Sequence, residues 1–240
     1  MLDAVLHRLG AKLGNPIFKF RVTKESHSYS KNIQKILHWY SNNHQKLDSD
    51  IKSGLHMGQL FQFIEKTAEV NGEILELGVF RGGTSICMAK FLEKINSNRN
   101  VISCDTFSGF PYDDKHGSDI FDKSQSYMKN NTYSSVKEKC TSFGMENRIK
   151  LIEGAFEDTL YQKLSNEKFS FVFSDSDLYD STKFSLEFLK TRMCKGGIIA
   201  FHNYGETEFG IWGETRAVDE FCQENKMNLN TDKSLPYIKF

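Results

Sequence analysis

Glu76-Leu-Gly-Val-Phe-Arg-Gly-Gly-Thr84 decides how the rest of the chain reads. It straddles the end of a strand, read over 73–79, and the start of a helix, read over 82–94 with Ile86, Ala89 and Leu92 around it. Working outward, strand and helix patterns keep alternating. A second strand over 100–105 ends in Asp105, a third covers 149–153, and 159–164 reads as a short helix. Residues 169–174 are almost continuously apolar, as in the middle of a parallel sheet. A helix over 181–193 stops at Gly196-Gly197, and a strand over 197–202, a helix over 214–225 and a strand over 235–240 follow. Repeated β–α units of this kind predict an α/β, doubly wound, Rossmann-like sheet. Ligands of such sheets sit at the carboxyl ends of the strands.

Two segments fall outside the alternation. Residues 1–71 carry helical spacing (Leu2, Val5, Leu6, Leu9; Ile33, Ile36, Leu37, Tyr40; then 57–70), which predicts a helical cap ahead of a domain over 72–240. Residues 111–139 are polar, Tyr- and Ser-rich and without strong periodicity; they read as a lid inserted into that domain.

Bulk composition narrows the class. Of 240 residues, 39% are hydrophobic and 26% charged, and 31 basic side chains balance 31 acidic ones. A balanced, well-mixed charge gives no footprint for nucleic acid or an anionic membrane. Five cysteines, an odd number without a Cys-x-x-Cys, argue against a disulfide framework and a structural zinc site. No apolar run is long enough to span a bilayer, and residues 1–10 do not read as a signal peptide, so the expected location is cytoplasmic.

The loop has its own chemistry. Gly78 permits a sharp turn with backbone open to a ligand, and Gly82-Gly83 free the helix N-terminus, which Thr84 or Ser85 can cap. The pattern is not Gly-x-Gly-x-x-Gly, so a dinucleotide is disfavoured. An acid, Glu76, precedes the first glycine. A carboxylate there repels a pyrophosphate and suits a cation, such as the ammonium and sulfonium of S-adenosylmethionine. Asp105, at the end of the second strand, stands where a ribose-binding acid belongs.

These residues resemble the macrocin O-methyltransferase family, class I enzymes that use S-adenosylmethionine to methylate sugar hydroxyls. Further stretches match in order: Asp105-Thr-Phe-Ser-Gly-Phe-Pro111, Gly154-Ala-Phe-Glu-Asp-Thr-Leu160, Asp175-Ser-Asp-Leu-Tyr-Asp-Ser-Thr182, Gly196-Gly197, Tyr204-Gly205 and Thr215-Arg-Ala-Val-Asp219. The resemblance implies that Glu76, Gly78 and Arg81, Gly82, Gly83 and Thr84 surround the methionine moiety, that Asp105 holds the ribose, and that Phe156, Glu157 and Asp158 lie near the adenine. It also implies a small hydroxylated acceptor, a sugar above all, and a homo-oligomer.

The remaining candidates follow the later strands. Asp175 and Asp177 come just after 169–174, and His202-Asn203 just after 197–201. In the resembled family the first paired acid binds Mg²⁺, the second is the general base, and the next strand adds two acids. Here His202-Asn203 replaces those acids. Three arrangements stay open: Asp175, His202 and Asn203 hold a divalent ion such as Mg²⁺ or Mn²⁺; His202 is the base without a metal; or Asp177 is the base with His202 bonded to it. Asp180 is expected to cap the helix after it, and Tyr204 and Trp212 to line the pocket. The alternatives to sugar O-methylation are methyl transfer to another nucleophile without a metal, and a non-catalytic protein that binds the cofactor.

Overall fold

The computed structural model describes residues 29–51, 53–111, 131–205 and 212–240. The expected helix near the start of the chain, most of the lid, and His7, His27 and His116 lie outside these residues.

Two helices come first. α1 (Lys31–Leu47) starts at Ser30, whose side chain accepts from the Ile33 N–H, and ends at Asp48 in the left-handed conformation. Its stripe of Ile33, Ile36, Leu37 and Tyr40 is buried, as the spacing predicts. α2 (Gly54–Lys66) is capped by Ser53. The alternation then runs β1 (Glu73–Leu77), α3 (Gly83–Lys94), β2 (Val101–Asp105), α4 (Tyr133–Ser142), β3 (Ile149–Glu153), α5 (Phe156–Leu164), β4 (Phe169–Ser174), α6 (Tyr179–Leu189), β5 (Met193–Phe201), α7 (Gly213–Asn225), β6 (Leu229–Asn230) and β7 (Tyr237–Lys239).

The strands form one sheet in the order β3-β2-β1-β4-β5-β7-β6. The first five pair in parallel, and β7 runs antiparallel to both β5 and β6. Period-two alternation divides the core between the two faces. Ile74, Phe171, Phe173, Ile198 and Ala200 face α1, α2 and α3, whereas Leu75, Leu77, Val172, Ile199 and Phe201 face α5, α6 and α7. The apolar residues of α1 and α2 thus share one cluster with the sheet. Every residue of β4 is buried, and each buried Phe there contributes roughly 1.5–3 kcal/mol.

Several boundaries differ from the sequence expectations. The segment after 131 contains α4, whose polar sequence buries only Val136 and Cys140 and so carries little periodic signal. β5 begins at Met193, four residues before the expected start. Its Gly196-Gly197 bends the strand instead of ending the preceding helix, with Gly196 at φ +88°. α6 begins at Tyr179 with Leu178 as its N-cap, so Asp180 sits in the first turn and does not cap. α3 likewise has Gly82 as N-cap and no side-chain cap, because Thr84 and Ser85 bond elsewhere.

The chain leaves β1 toward β2 on one side, while β4 pairs on the other. The carboxyl ends of β1 and β4 therefore part at a topological switch point, where crevices form.

Candidate active site

At that switch point the backbones of Gly78 and Asp175 nearly touch. A Cβ on residue 78 would lie 2.0 Å from the Asp175 carbonyl oxygen, and φ is +86°, so only glycine fits. A cleft of about 690 Å³, open mouth included, lies above them. Gly78, Phe80 and Asp105 form one wall, Ala155 and Phe156 a side, and Asp175, Ser176 and Asp177 the opposite wall. Asp50, from the segment between α1 and α2, reaches the rim. Among the described residues every charged side chain lining the cleft is an acid: Asp50, Asp105, Asp175 and Asp177.

On the first wall, Asp105 organises the loop. One carboxylate oxygen accepts from the N–H groups of Val79 (2.7 Å) and Phe80 (3.1 Å), and the other accepts from Phe107 (2.8 Å). Glu76 lies below the cleft and not in its lining. It is 1% exposed and points under α3, where the hydroxyls of Ser85 and Ser103 donate to it, the latter at 3.1 Å. Period-two alternation explains this: Glu76 shares a face with Ile74, toward α3. Burial raises its carboxyl to about 8 against the two serine hydrogen bonds, with the charges of Asp175 and Asp105 adding to the rise.

Arg81, Gly82, Gly83 and Thr84 also lie outside the cleft's lining; Gly82 packs against Val136 of α4, and the other three meet the helical cap. Arg81 pairs with Asp48 and donates to Asn131 at 3.2 Å, and Thr84 shares a 2.6 Å hydrogen bond with Ser49. A Cβ on Gly83 would fall 2.5 Å from the Leu47 carbonyl oxygen. On the side wall Phe156 lines the cleft, while Glu157 and Asp158 occupy the first turn of α5 outside the lining.

The opposite wall is a network of side chains. The Asp175 carboxylate meets His202 Nδ1 at 2.8 Å, and Asn203 Nδ2 donates to Asp175 at 3.0 Å and to Asp177 at 2.6 Å. Asn203 therefore offers these acids its NH₂ group, a brace between them. Asp177 has φ +59°, a conformation Asp tolerates better than most residues. Its carboxyl is pushed well above the usual carboxylate range by burial first, then by the charges of Asp175, Asp50 and Glu214, with His202 opposing. His202 is wedged against Phe173, with His56 edge-on at 6.1 Å between ring centres. Tyr204 instead donates to Asp219 at 2.8 Å, and Trp212 is 51% exposed.

Two residues of this wall carried no signal in the sequence. Glu214 resembles any first-turn acid of a helix, yet it is fully buried. It accepts from the Asn203 N–H at 2.7 Å and from Ser174 at 2.9 Å, tying the ends of β4 and β5 to α7. Burial, then the charge of Asp175, raises it to about 8 against those two hydrogen bonds. Asp50 lies 3.7 Å from His202 Nδ1. The donor atoms of Asp50, Asp175 and His202 all lie within 4.8 Å of one another. Two carboxylates and an imidazole are a donor set that divalent first-row ions accept.

Comparison with known proteins fits this geometry. A 4'-O-methyltransferase from Streptomyces olivaceus, acting in its name on 8-demethyl-8-(2,3-dimethoxy-alpha-L-rhamnosyl)-tetracenomycin-C, is 29% identical over 144 residues, which are 56% of this chain and 54% of that protein. A mycinamicin III 3''-O-methyltransferase from Micromonospora griseorubida is 27% identical over 143 residues, 56% of each chain. The chain spans about half the length of the curated relatives it matches. In fold it is similar to the calicheamicin methyltransferase CalS11, with a TM-score of 0.67 at 21% identity over 91% of this chain and 93% of that one. The macrocin-O-methyltransferase (TylF) profile matches residues 51–233, from the end of the α1–α2 connection to the turn before β7, and the chain belongs to that family.

Proposed function

We propose that this protein is an S-adenosylmethionine-dependent O-methyltransferase acting on a sugar hydroxyl of a glycosylated small molecule. The observation that carries the reading is Asp177 in the cleft wall opposite Gly78 and Phe80, in a cavity whose charged lining, among the described residues, is wholly acidic. An acidic cleft suits a cationic ligand, and a glycine that admits no Cβ leaves the loop backbone bare beneath it. When bound, the cofactor supplies an electrophilic methyl group.

The chain's own residues would do the rest. The N–H groups of Val79 and Phe80 fix Asp105 beside the cleft, where its remaining lone pairs can accept from ribose hydroxyls. Phe156 offers an apolar face to the adenine. Glu76, below the loop, stabilises cationic charge above it. Arg81 and Thr84 hold the loop against the cap, and Glu157 and Asp158 stand at the adenine side. Asp177 accepts the proton of the acceptor hydroxyl, a role for which a raised affinity for protons is an advantage. Asp175 and His202 hold each other at 2.8 Å, and this pair with Asn203 fixes Asp177 in place.

A divalent ion fits the same donors. Asp175 and His202 would hold Mg²⁺ or Mn²⁺ there, with Asn203 beside them. Such an ion would make the acceptor hydroxyl more acidic. The acceptor is small, no nucleic acid or membrane takes part, and the protein works as a cytoplasmic homo-oligomer. Among the described residues no helix is long and apolar enough to cross a membrane.

Transfer of labelled methyl to a panel of glycosylated acceptors and their aglycones tests this reading. Transfer confined to glycosylated members supports it, and transfer to aglycones alone overturns the sugar assignment. Repeating the assay with chelator and with added Mg²⁺ or Mn²⁺ decides the ion.

A further inference from the structure

The segment between α1 and α2 makes three successive contacts across the face of the site. Asp48 pairs with Arg81 of the cofactor loop, Ser49 shares a 2.6 Å hydrogen bond with Thr84 at the start of α3, and Asp50 stands 3.7 Å from His202 Nδ1. The backbone is clamped as well. The Leu47 carbonyl accepts from Lys139 of α4 at 3.2 Å and lies where a side chain on Gly83 would be. Ser49 is buried, and Ile51, on the other side of Asp50, is fully buried, its carbonyl accepting from Tyr40 at 2.6 Å. A half-exposed carboxylate is thus flanked on both sides by buried, bonded residues. Its position is set by the cofactor loop and by α1, not by its own side-chain freedom.

We propose that Asp50 is the third protein donor to a divalent ion held by Asp175 and His202, and that the strap Asp48–Asp50 is the element that places it there. The three donor atoms lie within 4.8 Å of one another and come from three separated parts of the chain. Two of the residues are largely withdrawn from water: the Asp175 side chain is 9% exposed and that of His202 12%. Asp175 and His202 alone would give an ion one negative charge. Asp50 adds a second, which matches a dication. The arrangement makes the cap part of the site, because an ion held at one end of the strap ties α1 and α2 to the ends of β4 and β5. The inference rests on the ion proposed above.

The probe is Mn²⁺ alone, titrated into the full chain and followed by electron paramagnetic resonance, with S-adenosylmethionine affinity measured separately by calorimetry. Wild type is expected to bind Mn²⁺. Asp50→Asn, which keeps size and removes charge, is expected to weaken binding by at least about tenfold, the scale of a lost or misplaced ligand interaction. Ser49→Ala, which loosens the strap and leaves every donor in place, weakens it severalfold. Both variants should melt cooperatively, and each should lose more Mn²⁺ affinity than S-adenosylmethionine affinity, with about 1.4 kcal/mol a factor of ten. Mn²⁺ affinity unchanged in Asp50→Asn overturns the proposal. Wild type without Mn²⁺ affinity overturns it too, and the methyltransferase reading then survives if methyl transfer persists in chelator.

Discussion

The two walls of the cleft achieve the same rigidity by different means. The wall after β1 is made of backbone: Gly78 packs its Cα against a carbonyl of the neighbouring strand, and Asp105 gathers three N–H groups onto one side chain. The wall after β4 and β5 is made of side chains, with Asp175, Asp177, His202, Asn203 and Glu214 joined through hydrogen bonds of 2.6–3.0 Å. A backbone wall tolerates no change at its few contact points, and apart from Asp105 its side chains matter little. A side-chain wall can be altered one group at a time without unfolding, and each alteration changes chemistry. On the proposed function, the difference separates a surface that grips a cofactor from one that moves a proton.

The hardest break is at Gly78. Gly78→Ala should lose about 3 kcal/mol or more of stability, because backbone cannot retreat from a contact of 2.0 Å. Denaturant melts read this loss, and calorimetry with S-adenosylmethionine reads the loss of cofactor affinity expected to accompany it. Near-wild-type behaviour would mean the backbone wall is softer than its geometry. Next is Asp177→Asn, which should lower methyl transfer by about 10²–10⁴-fold, the range for a lost general base. It should leave cofactor affinity intact. The same change removes a buried acid that repels Asp175 and Glu214, so the melting temperature at pH 8 should rise. His202→Ala, acting through Asp175, should cost less, about 10–100-fold, the scale of a lost supporting contact. If His202→Ala costs more than Asp177→Asn, the imidazole is the base.

The backbone wall is also the part most legible from sequence. Gly78 and Gly82 announce a turn, and the apolar run 169–174 is a buried strand under either face. Asp175 and Asp177 were findable because the residues just after strands of a doubly wound sheet line its crevice, and His202 and Asn203, after the next strand, bond to them from outside the lining. What escaped was everything that tertiary packing alone brings in. Asp48-Ser49-Asp50 is a short polar run without periodicity, and Asp50 meets a histidine 152 residues away in the chain. Glu214 could not be told from a solvated helix acid until α7 closed over it. Glu76 was legible as an acid but not in its direction. Its register with Ser103, and the hydroxyl of Ser85 on α3, turn it below the cleft. The Gly196-Gly197 pair looked like a helix stop, yet parallel pairing with β4 carries β5 through it.

Glu76 gives a smaller and sign-specific test of the same contrast. Its folded-state pKa of about 8 lies above the ordinary 4.5, so the folded protein holds a proton that the unfolded chain has released. Stability of the ligand-free protein is therefore full below about 4.5 and declines as pH rises toward 8. Glu76→Gln should reduce that decline, with a melting temperature about 5 °C above wild type at pH 8 and little difference at pH 5. Glu214, also raised to about 8, should leave part of the slope in place. A slope unchanged by Glu76→Gln would assign the linkage to the side-chain wall alone.

The smallest effect is expected where the backbone wall uses side chains at all. Arg81 and Asp48 form an ion pair whose side chains are 38% and 35% exposed, so water and salt screen it. Asp48→Asn should cost under about 1 kcal/mol, and the difference from wild type should shrink further in 1 M salt. That outcome is what a wall held by carbonyl contacts and N–H groups requires, since Leu47 and Gly83 would still touch and Asp105 would still bind Val79 and Phe80. A loss of about 3 kcal/mol that persists in salt would mean the opposite. The cap would then be fastened by a desolvated charge pair, and the contrast between a backbone wall and a side-chain wall would fail at its first residue.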